Sequence, residues 1–117
     1  MRILIVDADP AVADVLANAV ATLGHEAAVA NRGLDALIFC NARPVDALFL
    51  DIDLPDLHGI EVLRRLRRTH PKLPVVILSG GALLDEVAEA RWLGVAAILK
   101  KPWVLAKLTQ ALTAPES

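Results

Sequence analysis

Five times along the chain a short apolar run stops at a polar residue and a stretch of helical periodicity follows. The runs Ile3–Val6, Glu26–Ala30, Asp46–Leu50, Leu73–Leu78 and Val95–Leu99 read as strands. The stretches Pro10–Leu23, Gly33–Asn41, Ile60–Arg68, Leu83–Leu93 and Trp103–Leu112 read as helices. Near-continuous apolar strands are buried on both faces, which calls for a parallel sheet with helices above and below it. Turn residues agree with this division. Asp9 before Pro10 makes an N-cap and first helical residue, and Gly24 and Gly94 stand where helices should end. In the first helix Val12, Val15, Leu16, Ala19, Val20 and Leu23 are expected to form the buried face. Residues 52–58 form a loop that carries Pro55 and leads to Gly59.

Right-handed crossovers between parallel strands favour a doubly wound α/β sheet. The expected architecture is a (βα)5 five-stranded parallel sheet of order 2-1-3-4-5, the flavodoxin-like arrangement. With 117 residues and no linker or low-complexity stretch, a single domain over 1–117 is expected.

Composition narrows the function classes. Twelve basic against 14 acidic residues leave a net charge of −2, against a general polyanion binder, and 3% aromatic content offers no base-stacking surface. No direct nucleic-acid contact is therefore expected. The lone Cys40 excludes an internal disulfide framework and a cysteine-only zinc site. No apolar run is long enough to span a membrane, and Asp7 stops the first one too early for a secretory signal, so a cytoplasmic location is expected.

In sheets of this kind ligands bind beyond the carboxyl ends of the strands. Asp7, Ala8 and Asp9 follow the first strand, Asp51 and Asp53 the third, Ser79 the fourth, and Lys100, Lys101 and Pro102 the fifth. Crowded carboxylates need a proton or a cation to offset their repulsion. Oxygen ligands without a Cys or His cluster suit Mg2+. A hydroxyl and an ammonium opposite the metal suit a phosphoryl group, and a carboxylate there can be the nucleophile. Residue types alone thus indicate metal-assisted phosphoryl transfer onto an Asp, without saying which.

Ile3-Leu-Ile-Val-Asp7, Leu50-Asp51-Ile-Asp-Leu-Pro55 with Gly59, Val75-Val-Ile-Leu-Ser79 and Lys101-Pro102 stand in order, each at a strand end. With them the chain resembles the receiver domains of two-component response regulators over almost its entire length. The resemblance implies a phosphoacceptor signalling domain rather than an enzyme, with self-phosphorylation from small donors open to it. Asp51 would take phosphate from a phosphohistidine on a sensor histidine kinase or histidine phosphotransfer protein. Asp7 and Asp51 would hold Mg2+ together with the backbone carbonyl of Asp53. Ser79 would bond the phosphoryl group, Lys101 would pair with it, and Lys101–Pro102 would be a cis peptide. A homodimer through the face of the fourth helix, fifth strand and fifth helix is a further implication, and Trp92 and Trp103 lie near that face.

Two positions depart from the pattern. Receivers usually carry two adjacent acids after the first strand, and Ala8 stands at the second, so weaker Mg2+ binding is expected. Asp9 is the nearest substitute, but it already serves as helix cap. Ile98 stands where receivers often have Tyr or Phe coupled to the hydroxyl, so output would need another route, such as movement of the loop Ser79–Leu83. These departures motivate a second reading, a degenerate receiver acting as a phosphorylation-independent interaction module. A third is a phosphatase resembling the haloacid-dehalogenase enzymes, with Asp7 and Asp9 as its Asp-x-Asp pair. Pro10 and the lack of a late acidic motif count against it. Flavin binding is disfavoured by the acidic first loop.

The remaining polar residues have plainer expectations. Asp53's side chain and Lys100 read as solvated. Arg64, Arg65, Arg67, Arg68 and Lys72 read as a solvated helix face with a Glu61–Arg65 pair rather than a nucleic-acid patch. His25, His58 and His70 have no ligand spacing and read as surface residues. Cys40 reads as a small core residue.

Overall fold

The computed structural model describes residues 1–81 and 84–100 of the chain. Its elements run β1 Arg2–Val6, α1 Pro10–Thr22, β2 Glu26–Ala30, α2 Gly33–Ala42, β3 Ala47–Asp51, α3 Gly59–Thr69, β4 Val75–Ser79, α4 Leu84–Trp92 and β5 Ala97–Lys100. All strand pairs are parallel and the order is β2-β1-β3-β4-β5. The expected sheet and its order are thus present. The expected fifth helix, Trp103–Leu112, lies outside the described residues.

Strand alternation divides the core into two layers. Ile3, Ile5, Phe49 and Leu78 pack with Ala13, Leu16 and Val20 of α1 on one side of the sheet. Leu4, Val6, Leu48, Leu50, Val75 and Ile77 pack with α2, α3 and Ala90 of α4 on the other. Central strands are therefore apolar on both sides, as a doubly covered parallel sheet requires.

The buried stripe of α1 is Ala13, Leu16 and Val20, and Val15 is exposed. The expected face holds at Leu16 and Val20, with Val12, Ala19 and Leu23 partly buried, but the large Val15 outweighed the small Ala13 in the pattern. Against the sheet, close approach favours the small residue. Asp9 caps this helix as expected, its Oδ1 accepting from Ala11 N–H at 2.9 Å. Gly24 and Gly94 adopt φ of +89° and +76° just beyond α1 and α4, a region costly for other residues. In α3 Ile60, Leu63 and Leu66 face the core, Glu61 lies in the first turn and Arg67 and Arg68 in the last, as the helix dipole favours.

Strand boundaries shift slightly. Leu73 and Pro74 precede β4, and Val95 is in the turn before β5, where its N–H bonds the Ala90 carbonyl at 3.3 Å. Arg67 holds this corner. Its guanidinium donates to the carbonyls of Leu93 (2.6 Å), Leu73 (2.7 Å), His70 (3.1 Å) and Gly94 (3.3 Å), joining the ends of α3 and α4 to the entrance of β4.

Candidate functional site

The carboxyl edge of the sheet sets out the candidate residues in spatial order. Val6 of β1 pairs with Leu50 of β3, so Asp7 and Asp51 each lie one residue further along neighbouring strands. Asp51 pairs with Leu78 of β4, and Ser79 pairs with Lys100 of β5. Neighbouring strands are about 4.8 Å apart. Asp7, just past β1, and Asp51 therefore stand level on neighbouring strand ends, and Ser79 lies one residue further along on the next strand. They are the three buried polar or charged residues among those described, Asp7 at 0% exposure and Asp51 and Ser79 each at 3%.

Local hydrogen bonds hold each one. Asp7 Oδ1 accepts from Asp9 N–H at 2.9 Å, and the Asp7 carbonyl accepts from Asn31 Nδ2 at 2.9 Å. Asp51 Oδ1 accepts from Asp53 N–H at 3.1 Å. Ser79 Oγ accepts from Gly81 N–H at 3.1 Å, a bond that leaves its own O–H to donate elsewhere. Burying two carboxylates on neighbouring strands is costly unless positive charge or a proton offsets them.

The donor set fits a hard dication with few protein ligands. Two carboxylates and a backbone carbonyl suit Mg2+, which keeps several of its waters. Among the described residues, no cluster of three or more His, Cys, Asp or Glu side chains is placed to hold a metal ion. Asp9 does not join Asp7 and Asp51: it is exposed and its Oδ1 is used as the α1 cap. Ala8 and Asp53 are also exposed, so only the backbone of Asp53 is a candidate here. Lys101 and Pro102 lie outside the described residues; Lys100 is exposed at the end of β5.

Two supports of this rim had no signal in residue type or spacing. Asp56, in the loop after β3, reaches across to cap α2, its Oδ1 accepting from Gly33 N–H at 2.8 Å and its Oδ2 from Leu34 N–H at 2.9 Å. Slight desolvation pushes this carboxyl up, but the N–H groups of Leu34, Gly33 and Leu57 outweigh it and hold its pKa below the usual carboxylate range. Asn31, at the entrance to α2, holds the Asp7 carbonyl. Both contacts join residues more than 20 positions apart. A lone Asp or Asn in a loop carries no sequence mark of so distant a partner.

The basic residues expected to form a solvated helix face divide: Arg67 is partly buried against backbone carbonyls, whereas Arg64 and Arg65 are exposed and pair with acids. Arg65 Nε pairs with Glu61 at 3.0 Å, as its spacing predicts, and Arg64 spans Glu61 on its own helix and Glu89 on α4. Cys40 is buried in the core, where desolvation pushes its thiol up to about 11 and makes it a poor nucleophile. Beside Ser79 a cavity of about 220 Å³ is lined by Gly81, Val87, Ile98, Leu99 and Lys100. No helix among the described residues is long and apolar enough to cross a membrane.

Comparison with known proteins bears on the family and the fold of the chain. The model of the response regulator receiver domain matches residues 3–113. The sensor histidine kinase RcsC of Escherichia coli K12 is 32% identical over 113 residues, covering 97% of this chain and 12% of that protein. The response regulator MprA of Mycobacterium avium is 35% identical over 114 residues, covering 97% of this chain and 50% of that protein. The chain thus spans half or less of the length of these relatives. A CheY-like receiver domain from Methanospirillum hungatei superposes with a TM-score of 0.87 at 28% identity, over 95% of this chain and 92% of that one.

Proposed function

The chain belongs to the response regulator receiver domain family, and from that premise we propose that Asp51 accepts a phosphoryl group from a phosphohistidine. The donor is a sensor histidine kinase or a histidine phosphotransfer protein. The observation that carries this reading is the buried row Asp7, Asp51 and Ser79 on adjacent strand ends. A carboxylate oxygen of Asp51 attacks phosphorus, the P–N bond to the donor imidazole breaks, and an acyl phosphate forms. Asp53 N–H, bonded to Asp51 Oδ1, orients the nucleophile. The Ser79 hydroxyl donates to the transferred group, and the Lys101 ammonium pairs with it. Asp7, Asp51 and the Asp53 carbonyl would hold Mg2+, which supplies positive charge against the phosphoryl oxygens.

The role is that of a signalling phosphoacceptor in the cytoplasm, switching contacts with partners. Trp92, 88% exposed on α4, suits such a contact, and the same reading puts a homodimer on the face of α4, β5 and the expected fifth helix. A second reading, an interaction module that works without phosphate, is favoured by Ala8 and by the use of Asp9 as a helix cap.

Intact-mass measurement after incubation with a small phosphodonor separates the two. The first reading predicts one added phosphoryl group, dependent on Mg2+ and lost in Asp51→Asn. No adduct, under conditions where a receiver with both acids is labelled, would count against the first and favour the second.

A further inference from the structure

His58 occupies the N-cap of α3, a position where Ser, Thr, Asp or Asn is usual. Its Nδ1 accepts from Ile60 N–H at 3.1 Å, while its Nε2 contacts the Glu86 carboxylate in the first turn of α4. Both contacts together require one tautomer, with the proton on Nε2 and a bare Nδ1. A second link joins the same helices further along, from Arg64 to Glu89, with Nη2 to Oε1 at 2.7 Å. Arginine keeps its charge at any ordinary pH, whereas imidazole changes charge between about pH 5 and 8. Of these two links, only the one at His58 is made by an imidazole.

We propose that His58 is a proton-sensitive clasp between α3 and α4: a proton taken up at Nδ1 releases the first turn of α3 while Nε2–H keeps hold of Glu86. A protonated Nδ1 is a donor and no longer accepts from Ile60 N–H. Glu86 meanwhile faces a full positive charge instead of a neutral ring. Glu89 adds negative charge from α4, and Glu61 and Arg64 lie further along α3 and are paired with each other. Asp56, two residues before His58, is turned away to α2.

The released turn adjoins the candidate site. Gly59 N–H donates to the Ile52 carbonyl at 2.8 Å, and Gly59 is pressed against the backbone of Asp51 and Ile52. Uptake of a proton at His58 therefore loosens the segment seated on the end of β3 while α4 is held more tightly. The inference concerns the unmodified chain and does not require Asp51 to accept phosphate.

Nitrogen-15 NMR of the full chain between pH 8 and pH 5 tests it. At pH 8 His58 is expected to show a protonated Nε2 and a bare Nδ1. As the ring titrates, the Ile60 amide should move with the same midpoint, and its hydrogen-exchange protection should fall severalfold beyond the intrinsic pH effect. His58→Asn keeps an oxygen to cap Ile60, so the Ile60 signal should stay flat. In Glu86→Gln the Ile60 signal should still follow the ring, with a lower midpoint because the anionic partner is gone. A protonated Nδ1 at pH 8, or an Ile60 amide indifferent to His58 titration, would overturn the proposal.

Discussion

A methyl group added at Gly59 would lie 2.5 Å from the Asp51 carbonyl oxygen and 2.6 Å from Ile52 Cα. Both are backbone atoms and give way only if α3 or the end of β3 moves. Gly59→Ala is expected to lower stability by about 1–3 kcal/mol, the usual cost of overpacking, and to displace Asp51. Urea unfolding checks the first effect; phosphorylation rate in the folded variant checks the second. An unchanged midpoint would contradict this account of the glycine. At the rim, a carboxylate in place of Ala8 adds a charged oxygen where Mg2+ is expected to have few. Ala8→Asp should tighten Mg2+ binding by roughly tenfold, about 1.4 kcal/mol. Metal titration by calorimetry reads this directly, and equal affinity of both forms would place the metal elsewhere.

At the scale of elements, α2 depends on a residue outside itself. Its own N-cap, Arg32, supplies no side-chain acceptor, and Asp56 from the loop after β3 supplies two bonds instead. Replacing Asp56 by Asn removes the charge and leaves one acceptor oxygen, and the hydrogen bond lost costs about 1 kcal/mol near neutral pH. Because the folded pKa of Asp56 is depressed, its contribution is present above the unfolded value near ~3.9 and is lost as pH falls through the folded value. The gap in unfolding midpoint between wild type and Asp56→Asn should therefore narrow on acidification below about pH 4. A gap independent of pH would show that the charge is not involved. Element boundaries themselves were largely legible in the sequence. Asp9-Pro10, Gly24 and Gly94 are local signals, and they mark helix ends where expected. The buried face of α1 was less legible, since hydrophobicity favoured Val15 while packing against the sheet favoured Ala13.

At the scale of the whole molecule, the sequence order of strand ends becomes a spatial row because the sheet is parallel and doubly wound. Asp7 and Asp51 are 44 residues apart in the chain and lie on neighbouring strands. That much of the candidate site was readable, since topology alone brings those strand ends together. Its supports were not: Asn31 and Asp56 act through contacts between loops, which no local pattern encodes. His58 read as a surface residue, and it is exposed, but its two ring nitrogens serve two different helices. The central claim is that this row makes Asp51, and no other acid of the rim, the acceptor of phosphate. Borohydride reduction after treatment with a phosphodonor and Mg2+ converts an acyl-phosphorylated Asp to homoserine, which peptide mass spectrometry locates. The account predicts homoserine at position 51 alone; homoserine at position 7, 9 or 53, with Asp51 intact, would contradict it.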